Sequence, residues 1–385
     1  MKMYDILIIG AGPAGSNLAR LLSKDKSNPY KVGLIDKRRL DKPVDPLRQK
    51  ACGGLLSPDA QKMLAKLDLN IPSDILENPQ IFKVRTIDFD NSLERYYQRY
   101  YYNMDREKFD RYLFSLIPDE VEKHLGEVVG AIHINDDHWE IHINQSKTIL
   151  KSKFLVAADG ANSFVRRTVL GEYAGPEKYI SIQKWYPVSS TTPYYTGIFD
   201  SEITDYYSWT IQKGNRLILG TALPLSGPHA VTPKERLAKF DLLREKTADY
   251  LGISLETEVK TEGAFLERST SVRQLRFASR LGLSTGKKLS LALLGEAAGA
   301  TSPTSAEGFS YALDTSLKLY ESLTHGLESA ELRYELSCDS IRRNIFLKNL
   351  KSPAMYSKNI RKLVMKSGIG SLKDLNKRGQ VQIGT

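Results

Sequence analysis

A glycine-rich segment near the start of the chain has the spacing of a turn that binds a dinucleotide. It follows the pattern G-x-G-x-x-G and contains Gly10, Gly12, Pro13, Ala14 and Gly15. In such a turn the first glycine permits the tight bend, the second lets the backbone approach a pyrophosphate, and the third lets helix and strand pack closely. Asp36, about 20 residues further on, can accept hydrogen bonds from ribose hydroxyls, and Lys37 adjoins it. The spacing predicts a site for NAD or FAD and does not distinguish them.

The residues around this turn predict the elements that would position it. Tyr4 to Ile9 are mostly isoleucine and leucine, as in a strand that is buried on both faces. Ser16 to Ser23 place leucines on one side of a predicted helix, and Lys31 to Ile35 form a second apolar strand. This order predicts a Rossmann-type unit. The pyrophosphate would lie at the helix N-terminus, where free N–H groups favour negative charge.

Two later segments repeat the combination of an apolar strand, a glycine and an acid. The strand predicted from Phe154 ends at Asp159 and Gly160. The strand predicted from Leu291 ends at Gly295 and Glu296, and Gly308 then precedes a predicted helix.

The ordered motifs resemble the p-hydroxybenzoate-hydroxylase-type FAD family, from the first strand to the helix after Gly308. The resemblance implies that Asp159 and Gly160 lie near the FAD pyrophosphate. It also implies that Gly295 and Glu296 meet the ribityl chain and phosphates, and that Gly308 presents N–H groups to the N1–O2 edge of the flavin. The family usually has aspartate where Glu296 stands.

The same resemblance implies two further cofactor contacts. Arg106 follows Asp105, the predicted N-cap of a helix, and matches a family arginine that reaches the cofactor. A surface arginine is the alternative for that position. Val129 matches an adenine contact of the family.

A second group of motifs resembles the geranylgeranyl-reductase branch of this family. Cys52, Gly53 and Gly54 resemble a segment near the flavin ring, where adjacent glycines let the backbone pass close to a planar ring. Cys52 is a candidate donor or nucleophile there, or a small buried apolar residue. The surrounding run resembles most closely the bacterial CbrA-type proteins, together with residues 78–82, 97–99 and 203–205.

The segment from Tyr207 to Lys213 alternates like a strand, with Tyr207, Trp209 and Ile211 on one face. It is similar to the Y-x-W-x-F-P-K element that lines the lipid pocket of prenyl reductases, although Ile211 and Gln212 replace Phe-Pro. Tyr207 and Trp209 are therefore candidate pocket residues beside Cys52. A strand of the substrate-lobe core is the alternative interpretation.

The sequence leaves three candidate functions, two of which follow from these motifs and the third from the basic, apolar C-terminal segment. The first is an FAD-dependent oxidoreductase that reduces carbon–carbon double bonds of an isoprenoid or lipid-like substrate by flavin hydride transfer. The second is a flavin monooxygenase acting on a small apolar or aromatic substrate. The third is an FAD-binding membrane-surface protein without turnover of its own. A second nucleotide fingerprint is absent from the sequence, so NAD(P)H or another electron donor would bind only transiently.

Composition and charge narrow the expected partners and location. The net charge is +10, and the positive residues are concentrated between Arg342 and Arg378, interleaved with apolar ones. This pattern indicates either a solvated helical face or a patch for an anionic membrane surface. No nucleic-acid module is recognisable, so no nucleic-acid partner is expected. The two cysteines predict a cytoplasmic protein, and the basic segment adds membrane association as an alternative. The cysteines and the six scattered histidines lack metal-ligand spacing, so no metal site is expected.

The predicted fold class is α/β. A discontinuous Rossmann-type FAD-binding domain is expected over residues 1–78, 103–174 and 283–325. A sheet-rich substrate-binding domain over residues 79–102 and 175–282 is expected to be inserted into it. Residues 326–385 are predicted to form a basic, mostly helical segment.

Overall fold

The protein is described by a computed structural model. The described residues are 2–27, 29–42, 50–135, 137–171, 175–189, 194–282 and 288–372. The predicted hairpin residue Asp136 and the last basic residues from Lys373 onward lie outside these ranges.

The strands form two sheets. The strands of the first sheet are β1 (Lys2–Ile9), β2 (Val32–Asp36), β6 (Glu122–Leu125), β7 (Val129–Ile134), β8 (Trp139–Ile143), β9 (Ile149–Ala157), β15 (Ala278–Gly282) and β16 (Lys288–Leu293). Those of the second are β3 (Leu55–Leu56), β4 (Ile81–Asp88), β5 (Leu93–Asn103), β10 (Glu177–Pro187), β11 (Tyr194–Phe199), β12 (Ser208–Lys213), β13 (Arg216–Pro224), β14 (Lys260–Arg268) and β17 (Ser371–Leu372).

The helices lie between and after these strands. They are α1 (Pro13–Lys24), α2 (Pro58–Lys66), α3 (Arg106–Ser115), α4 (Phe164–Leu170), α5 (Pro233–Leu251), α6 (Phe309–Leu323), α7 (Ala330–Ser337), α8 (Asp339–Lys351), α9 (Pro353–Tyr356) and α10 (Lys358–Ser367). None of the helices in the described ranges has the length and apolar character needed to cross a bilayer.

The first sheet is parallel through its centre, in the order β16-β9-β1-β2-β6. The last six residues of β1 are nearly all buried, as the apolar sequence predicts for a central strand. Helix α1 packs against α6, which brings the first and last motifs of the chain together. The predicted α/β fold class is thus confirmed at the level of this parallel sheet and its helices.

Antiparallel strands join the parallel centre of this sheet on both sides of the chain's predicted domain boundaries. The hairpin of β7 and β8 forms where the alternation of isoleucines predicts it, and β8 pairs with the first half of β9. Strand β15 pairs with β16 in the first sheet. The predicted boundary at residue 282 therefore falls inside a hairpin of the first sheet, because β15 finds its pairing partner there.

The second sheet has the order β14-β10-β13-β12-β11-β4-β5-β17. Strands β4 and β5 form the tyrosine-rich hairpin that the sequence predicts. Strand β12 lies in the interior of the sheet, and all six of its residues are buried. The end of this strand therefore cannot be a solvated surface element, and its polar residues must find partners inside the protein.

Candidate functional site

The glycine-rich turn joins β1 to α1, and two of its glycines are required by packing. Gly10 has φ +106°, and a Cβ there would lie 2.3 Å from the carbonyl oxygen of Ala158. A Cβ on Gly15 would lie 1.9 Å from the carbonyl oxygen of Gly10. Gly12 differs, because a Cβ there would meet no atom within 4 Å. The turn thus leaves open space at Gly12, at the point where the pattern predicts a pyrophosphate.

This open space adjoins the N-terminus of α1. Gly12 is the N-cap, and Pro13 and Ala14 are the first two helical residues. No side chain caps the helix, so the first N–H groups are free of a side-chain acceptor. Together with the helix dipole they favour an anion in front of the helix.

Asp36 ends β2 beside the same turn. Its carboxylate accepts a hydrogen bond from the backbone N–H of Ala11 at 2.6 Å and another from the N–H of Arg38 at 2.7 Å. Lys37, the next residue along the chain, is exposed. The carbonyl oxygen of Asp36 accepts from Gly126, shortly before half-buried Val129 begins β7. The structure therefore brings Asp36 and the β7 start together at one end of the turn.

A chain of ionic contacts leads from Asp36 through partly buried arginines. Arg38 contacts the Asp36 carboxylate at 3.3 Å and donates to Asp110 at 2.8 Å. Arg106 donates to the same Asp110 carboxylate at 2.8 Å, and its other nitrogen lies 3.5 Å from the Sγ of Cys52. The path Asp36–Arg38–Asp110–Arg106–Cys52 thus connects the glycine-rich turn with the Cys-Gly-Gly segment.

The shared carboxylate stabilises both cations of this path. Burial alone would raise the pKa of Asp110, but Arg106 and Arg38 outweigh burial and hold that pKa well below its usual range. Burial also opposes the charge of each guanidinium, yet Asp110 raises the pKa of both arginines. The three groups therefore stay charged together. Arg106 is not a surface arginine, since its guanidinium also lies 4.5 Å from the ring centroid of Phe309.

The Cys-Gly-Gly segment lies directly against β12. A Cβ on Gly53 would come within 2.5 Å of the Cδ1 of Ile211. Gly54, at φ +62°, accepts a hydrogen bond from Met104 N–H, and its own carbonyl oxygen lies 3.2 Å from the Nζ of Lys213. The two motifs that the sequence links to a reductase pocket are therefore neighbours in space.

Lys213 is a buried lysine at the end of β12. Its Nζ donates to the carbonyl oxygens of Met104 at 2.6 Å and Gly54 at 3.2 Å. Burial lowers the pKa of Lys213 to about 8, although Glu77, Cys52, Asp105 and Glu262 oppose this shift. The ammonium thus joins the Cys-Gly-Gly segment to Met104, which precedes the N-cap residue of α3.

Tyr207 and Trp209 both lie in the interior beside this contact. The Tyr207 hydroxyl donates to the carbonyl oxygen of Ser305 at 2.8 Å. The indole N–H of Trp209 donates to Gln183 at 3.1 Å, and the two rings lie 5.5 Å apart. Both side chains belong to what we call the aromatic cluster, which comprises Tyr101, Tyr195, Phe199, Tyr206, Tyr207, Trp209 and Tyr356.

The late motif adjoins this cluster, because three tyrosine hydroxyls of the cluster donate to carbonyl oxygens of residues 302–305. Gly295 has φ +53°, and its N–H donates to the Thr315 hydroxyl at 3.0 Å. Gly308 is the N-cap of α6, and a Cβ there would lie 3.5 Å from the carboxylate of Glu296. Glu296 and Gly308 are therefore adjacent, as the resemblance implies for two residues that contact one flavin.

The central motif supplies a buried polar atom without a partner. The Asp159 carboxylate accepts from the backbone N–H of Val165 at 3.1 Å through one oxygen. Its other oxygen, Oδ1, is buried and has no hydrogen-bond partner among the described residues. Burial raises the pKa of Asp159. Gly160 beside it, at φ +81°, has open space where a Cβ would be.

These features fit FAD. The Oδ1 of Asp159, which has no hydrogen-bond partner among the described residues, lies near the glycine-rich turn, because a Cβ on Gly10 would be 2.9 Å from the backbone nitrogen of Asp159. The open positions at Gly12 and Gly160 and the N-terminus of α1 belong to the same region. The residues that would hold FAD are those of the three motifs with Asp36. The contact of each individual residue with the cofactor stays a prediction.

Comparison with known proteins supports the fold and FAD as the cofactor. A family model described as "FAD binding domain" matches residues 136–348. A solved geranylgeranyl bacteriochlorophyll reductase-like protein from Thermoplasma acidophilum superposes with a TM-score of 0.74 at 19% identity, covering 95% of this chain and 90% of that one. PqsL from Pseudomonas aeruginosa, described as a probable FAD-dependent monooxygenase, superposes at 0.65 and 17% identity, with 95% and 100% covered. The fold and site thus define an FAD-dependent oxidoreductase of the p-hydroxybenzoate-hydroxylase type.

Within that class a more specific similarity is found. "Protein CbrA" from Escherichia coli O9:H4 (strain HS) is 36% identical over 380 residues, which is 97% of this chain and 96% of the relative. The chain therefore belongs to the CbrA family, as the motifs around Cys52 predict.

Three residues of the site were missed by the sequence-based interpretation. Arg38 follows Asp36 and Lys37, and a surface position is the usual interpretation of a charged residue after a strand. Asp110 lies four residues after Arg106 on α3, and this helical spacing is a signal that could have found the pair. Lys213 ends a motif already recognised, but its burial depends on long-range contacts.

Proposed function

We propose that the protein reduces carbon–carbon double bonds of an apolar, isoprenoid-like substrate. The observation that carries this proposal is the contact of β12 with the Cys-Gly-Gly segment at Gly53 and Gly54. This contact places the side of β12 that carries Ile211 and Lys213 against a segment that resembles the flavin-ring contact of geranylgeranyl reductases. The aromatic cluster beside it offers large apolar faces, which suit an isoprenoid chain.

The chain's own residues would bind and orient the substrate. Bound FAD, once reduced by the electron donor, would supply the hydride for one carbon of the double bond and return to its oxidised form. Trp209 and Ile211 would hold the alkene in an apolar environment that excludes water. The hydroxyl of Tyr207 is engaged with Ser305, so it fixes the ring rather than offering a free proton.

The second carbon of the double bond requires a proton. Lys213 is the candidate source, because its Nζ lies at the Cys-Gly-Gly segment and, with a pKa of about 8, it is still protonated at neutral pH. A lysine with a lowered pKa is a better acid than a solvated one near pH 7. Lys213 would thus combine a structural contact with proton donation.

The electron donor is part of the proposal. The sequence carries one nucleotide fingerprint, at Gly10–Gly15, so NAD(P)H or another reductant would bind transiently. Anaerobic titration with NADH, NADPH and dithionite would compare the donors. Flavin bleaching by NADH or NADPH at a rate compatible with turnover is expected if a nicotinamide is the donor.

The decisive experiment uses the FAD-loaded protein, reduced and kept anaerobic. Mixing it with a polyprenyl compound is expected to reoxidise the flavin and to give a product with one double bond fewer. The fully saturated analogue is the matched control and should leave the flavin reduced. Reoxidation that requires oxygen and yields a hydroxylated product would assign the monooxygenase function instead. Failure of every polyprenyl compound to reoxidise the flavin would overturn the proposal.

A further inference from the structure

Each of two C-terminal helices leaves apolar side chains exposed on its outer face. On α8 these are Phe346, Leu347 and Leu350, with exposed fractions of 51%, 55% and 63%. Their positions repeat at helical spacing and form one stripe. On α10 the exposed apolar residues include Ile360 and Leu363, the latter at 69%. Single exposed apolar residues are ordinary, but a stripe of them on a helix indicates a contact surface.

The same segment is strongly basic. From Ser340 to Leu372 there is no aspartate or glutamate, whereas eight residues are lysine or arginine. Some of these cations are paired with other parts of the protein, such as Arg361 with Asp88 at 2.9 Å and Lys348 with Asp59 at 3.4 Å. Four exposed cations form no ion pair within the described ranges: Arg343, Lys351, Lys362 and Lys366.

The opposite faces of both helices are fixed to the body of the protein. Asn349 of α8 donates to the carbonyl oxygen of Ser269 at 2.9 Å. Arg361 of α10 is buried and contacts both Asp88 and Asp90. Each helix therefore presents its unpaired cations and apolar side chains outward in a fixed orientation.

We propose that the exposed faces of α8 and α10 bind the surface of an anionic lipid bilayer. We call them together the docking surface, defined by Arg343, Phe346, Leu347, Leu350 and Lys351 on α8 and by Ile360, Lys362, Leu363 and Lys366 on α10. Apolar side chains enter the boundary between headgroups and acyl chains, while adjacent cations attract anionic lipids. The docking surface has both features and no carboxylate.

The charge and the exposed apolar residues of the docking surface favour a bilayer over a second copy of the chain or a nucleic acid. In a two-fold dimer the same patch meets itself, so a second copy would bring unpaired cations together. Nucleic acid would match the cations but leave Phe346, Leu347 and Leu350 in water, because phosphate contacts need no apolar partner. A bilayer with anionic headgroups satisfies both components of the surface.

The docking surface is linked to the aromatic cluster through α9, which lies between the two helices. Tyr356 of α9 belongs to that cluster, and its hydroxyl donates to the carbonyl oxygen of Thr304 at 2.7 Å. Bilayer binding would thus bring the lipid surface near the segment before Gly308. The inference itself stands on the helices and holds whatever the substrate is.

Vesicle co-sedimentation of the FAD-loaded protein tests the proposal. Vesicles of phosphatidylcholine with about 30% phosphatidylglycerol should bind the protein, and vesicles of phosphatidylcholine alone should bind it far less. Arg343→Gln and Lys351→Gln should each lower the partition coefficient about fivefold at low salt, which corresponds to about 1 kcal/mol per charge. These effects should fade at high salt, because salt screens surface charge.

Apolar substitutions test the second component. Phe346→Ser and Leu350→Ser should each lower partitioning about tenfold, with little dependence on salt. Phe265→Ser is the matched apolar control, because Phe265 is 52% exposed on β14 of the second sheet. Lys234→Gln on α5 is the matched charge control. Neither control should change partitioning.

Three results would overturn the proposal. The first is equal partitioning of the α8 variants and the wild type while thermal midpoints and FAD content are unchanged. The second is absence of binding to the phosphatidylglycerol vesicles. The third is self-association in sedimentation velocity without vesicles that Phe346→Ser abolishes, which would assign the face to a second copy of the chain.

Discussion

The guanidinium of Arg38 donates to the carboxylate of Asp110 at 2.8 Å and so ties the end of β2 to helix α3. Asp110 is fully buried and also holds Arg106. The carboxylate of Asp36, which is the predicted ribose contact, and the sulfur of Cys52 are therefore positioned by one ionic chain. A change at Asp110 is expected to affect both ends of the candidate cofactor site.

Asp110→Asn should be strongly destabilising. The Arg106 guanidinium would lose its carboxylate partner and that of Arg38 would keep only the longer contact with Asp36. Breaking a buried pair by removing one partner costs about 3–5 kcal/mol of unfolding free energy. FAD content after purification should fall as well. Chemical denaturation gives the first quantity and absorbance the second. Asp119→Asn is the control, because Asp119 pairs with Lys123 on the surface and such pairs contribute about 1 kcal/mol or less. Similar losses for both variants would contradict the buried-network interpretation.

Alanine substitutions at Gly10 and Gly12 should have different effects, the first on stability and the second on the affinity for FAD. Gly10→Ala places a Cβ 2.3 Å from the Ala158 carbonyl oxygen at φ +106°, so we expect a loss of about 1–3 kcal/mol in unfolding free energy. Gly12→Ala meets no protein atom, so the stability of the apoprotein should change by about 0.5 kcal/mol or less. The Kd of Gly12→Ala for FAD should nevertheless rise at least about tenfold, because the methyl group occupies the open space at the turn. Unchanged FAD affinity in Gly12→Ala would place the pyrophosphate elsewhere.

The contact between Gly53 and Ile211 can be measured with a double-mutant cycle. Gly53→Ala alone should cost about 1–3 kcal/mol, because its Cβ would come within 2.5 Å of the Ile211 Cδ1. Ile211→Val alone should cost about 0.5–1.5 kcal/mol. Because the valine lacks that Cδ1, the double variant should be more stable than the sum of the two effects by at least about 0.5 kcal/mol. Strict additivity in chemical denaturation would show that the two residues do not touch.

Lys213 predicts a pH dependence of stability with a defined sign. Its folded-state pKa of about 8 lies below its ordinary value of 10.5, so the unfolded chain binds more protons between these two pH values. The stability of the wild type relative to Lys213→Met should therefore increase as pH rises from about 8 to 10.5, with a slope of at most about 1.4 kcal/mol per pH unit.

Denaturation at several pH values checks this slope. The same substitution at exposed Lys234 on α5 is the control and should give no such slope. A wild-type advantage over Lys213→Met that stays constant with pH would show that the ammonium is not buried as described.

Local patterns predicted the parts of the fold that depend on local chemistry. The turn at Gly10, the N-cap at Asp105 and the hairpin of β7 and β8 follow from residue type and short spacing, and the structure confirms all three. The family was also recognisable from short motifs, because Cys52 and its neighbours are specific in sequence. The cofactor contacts of these residues and the domain boundaries stay predictions.

The parts of the candidate site that the sequence did not predict depend on packing between residues far apart in the chain. Lys213 ends a strand, where a lysine is usually solvated, and only the approach of Gly54 and Met104 makes it buried. Arg38 and Asp110 are far apart in sequence, and no local sequence pattern predicts their contact. Sequence reasoning therefore found the motifs but not the ionic chain that connects them.

The short strand β17 pairs with β5 at Tyr96 and Tyr97 and forms one edge of the second sheet. A protein shortened before Ser371 would uncover these backbone groups on a long, tyrosine-rich strand. Unprotected edges of this kind recruit strands from other molecules. Removing residues from Ser371 onward would then promote aggregation, and aggregated protein would sediment in a vesicle experiment whether or not it binds lipid. Point substitutions on α8 and α10 are therefore the better way to test the docking surface.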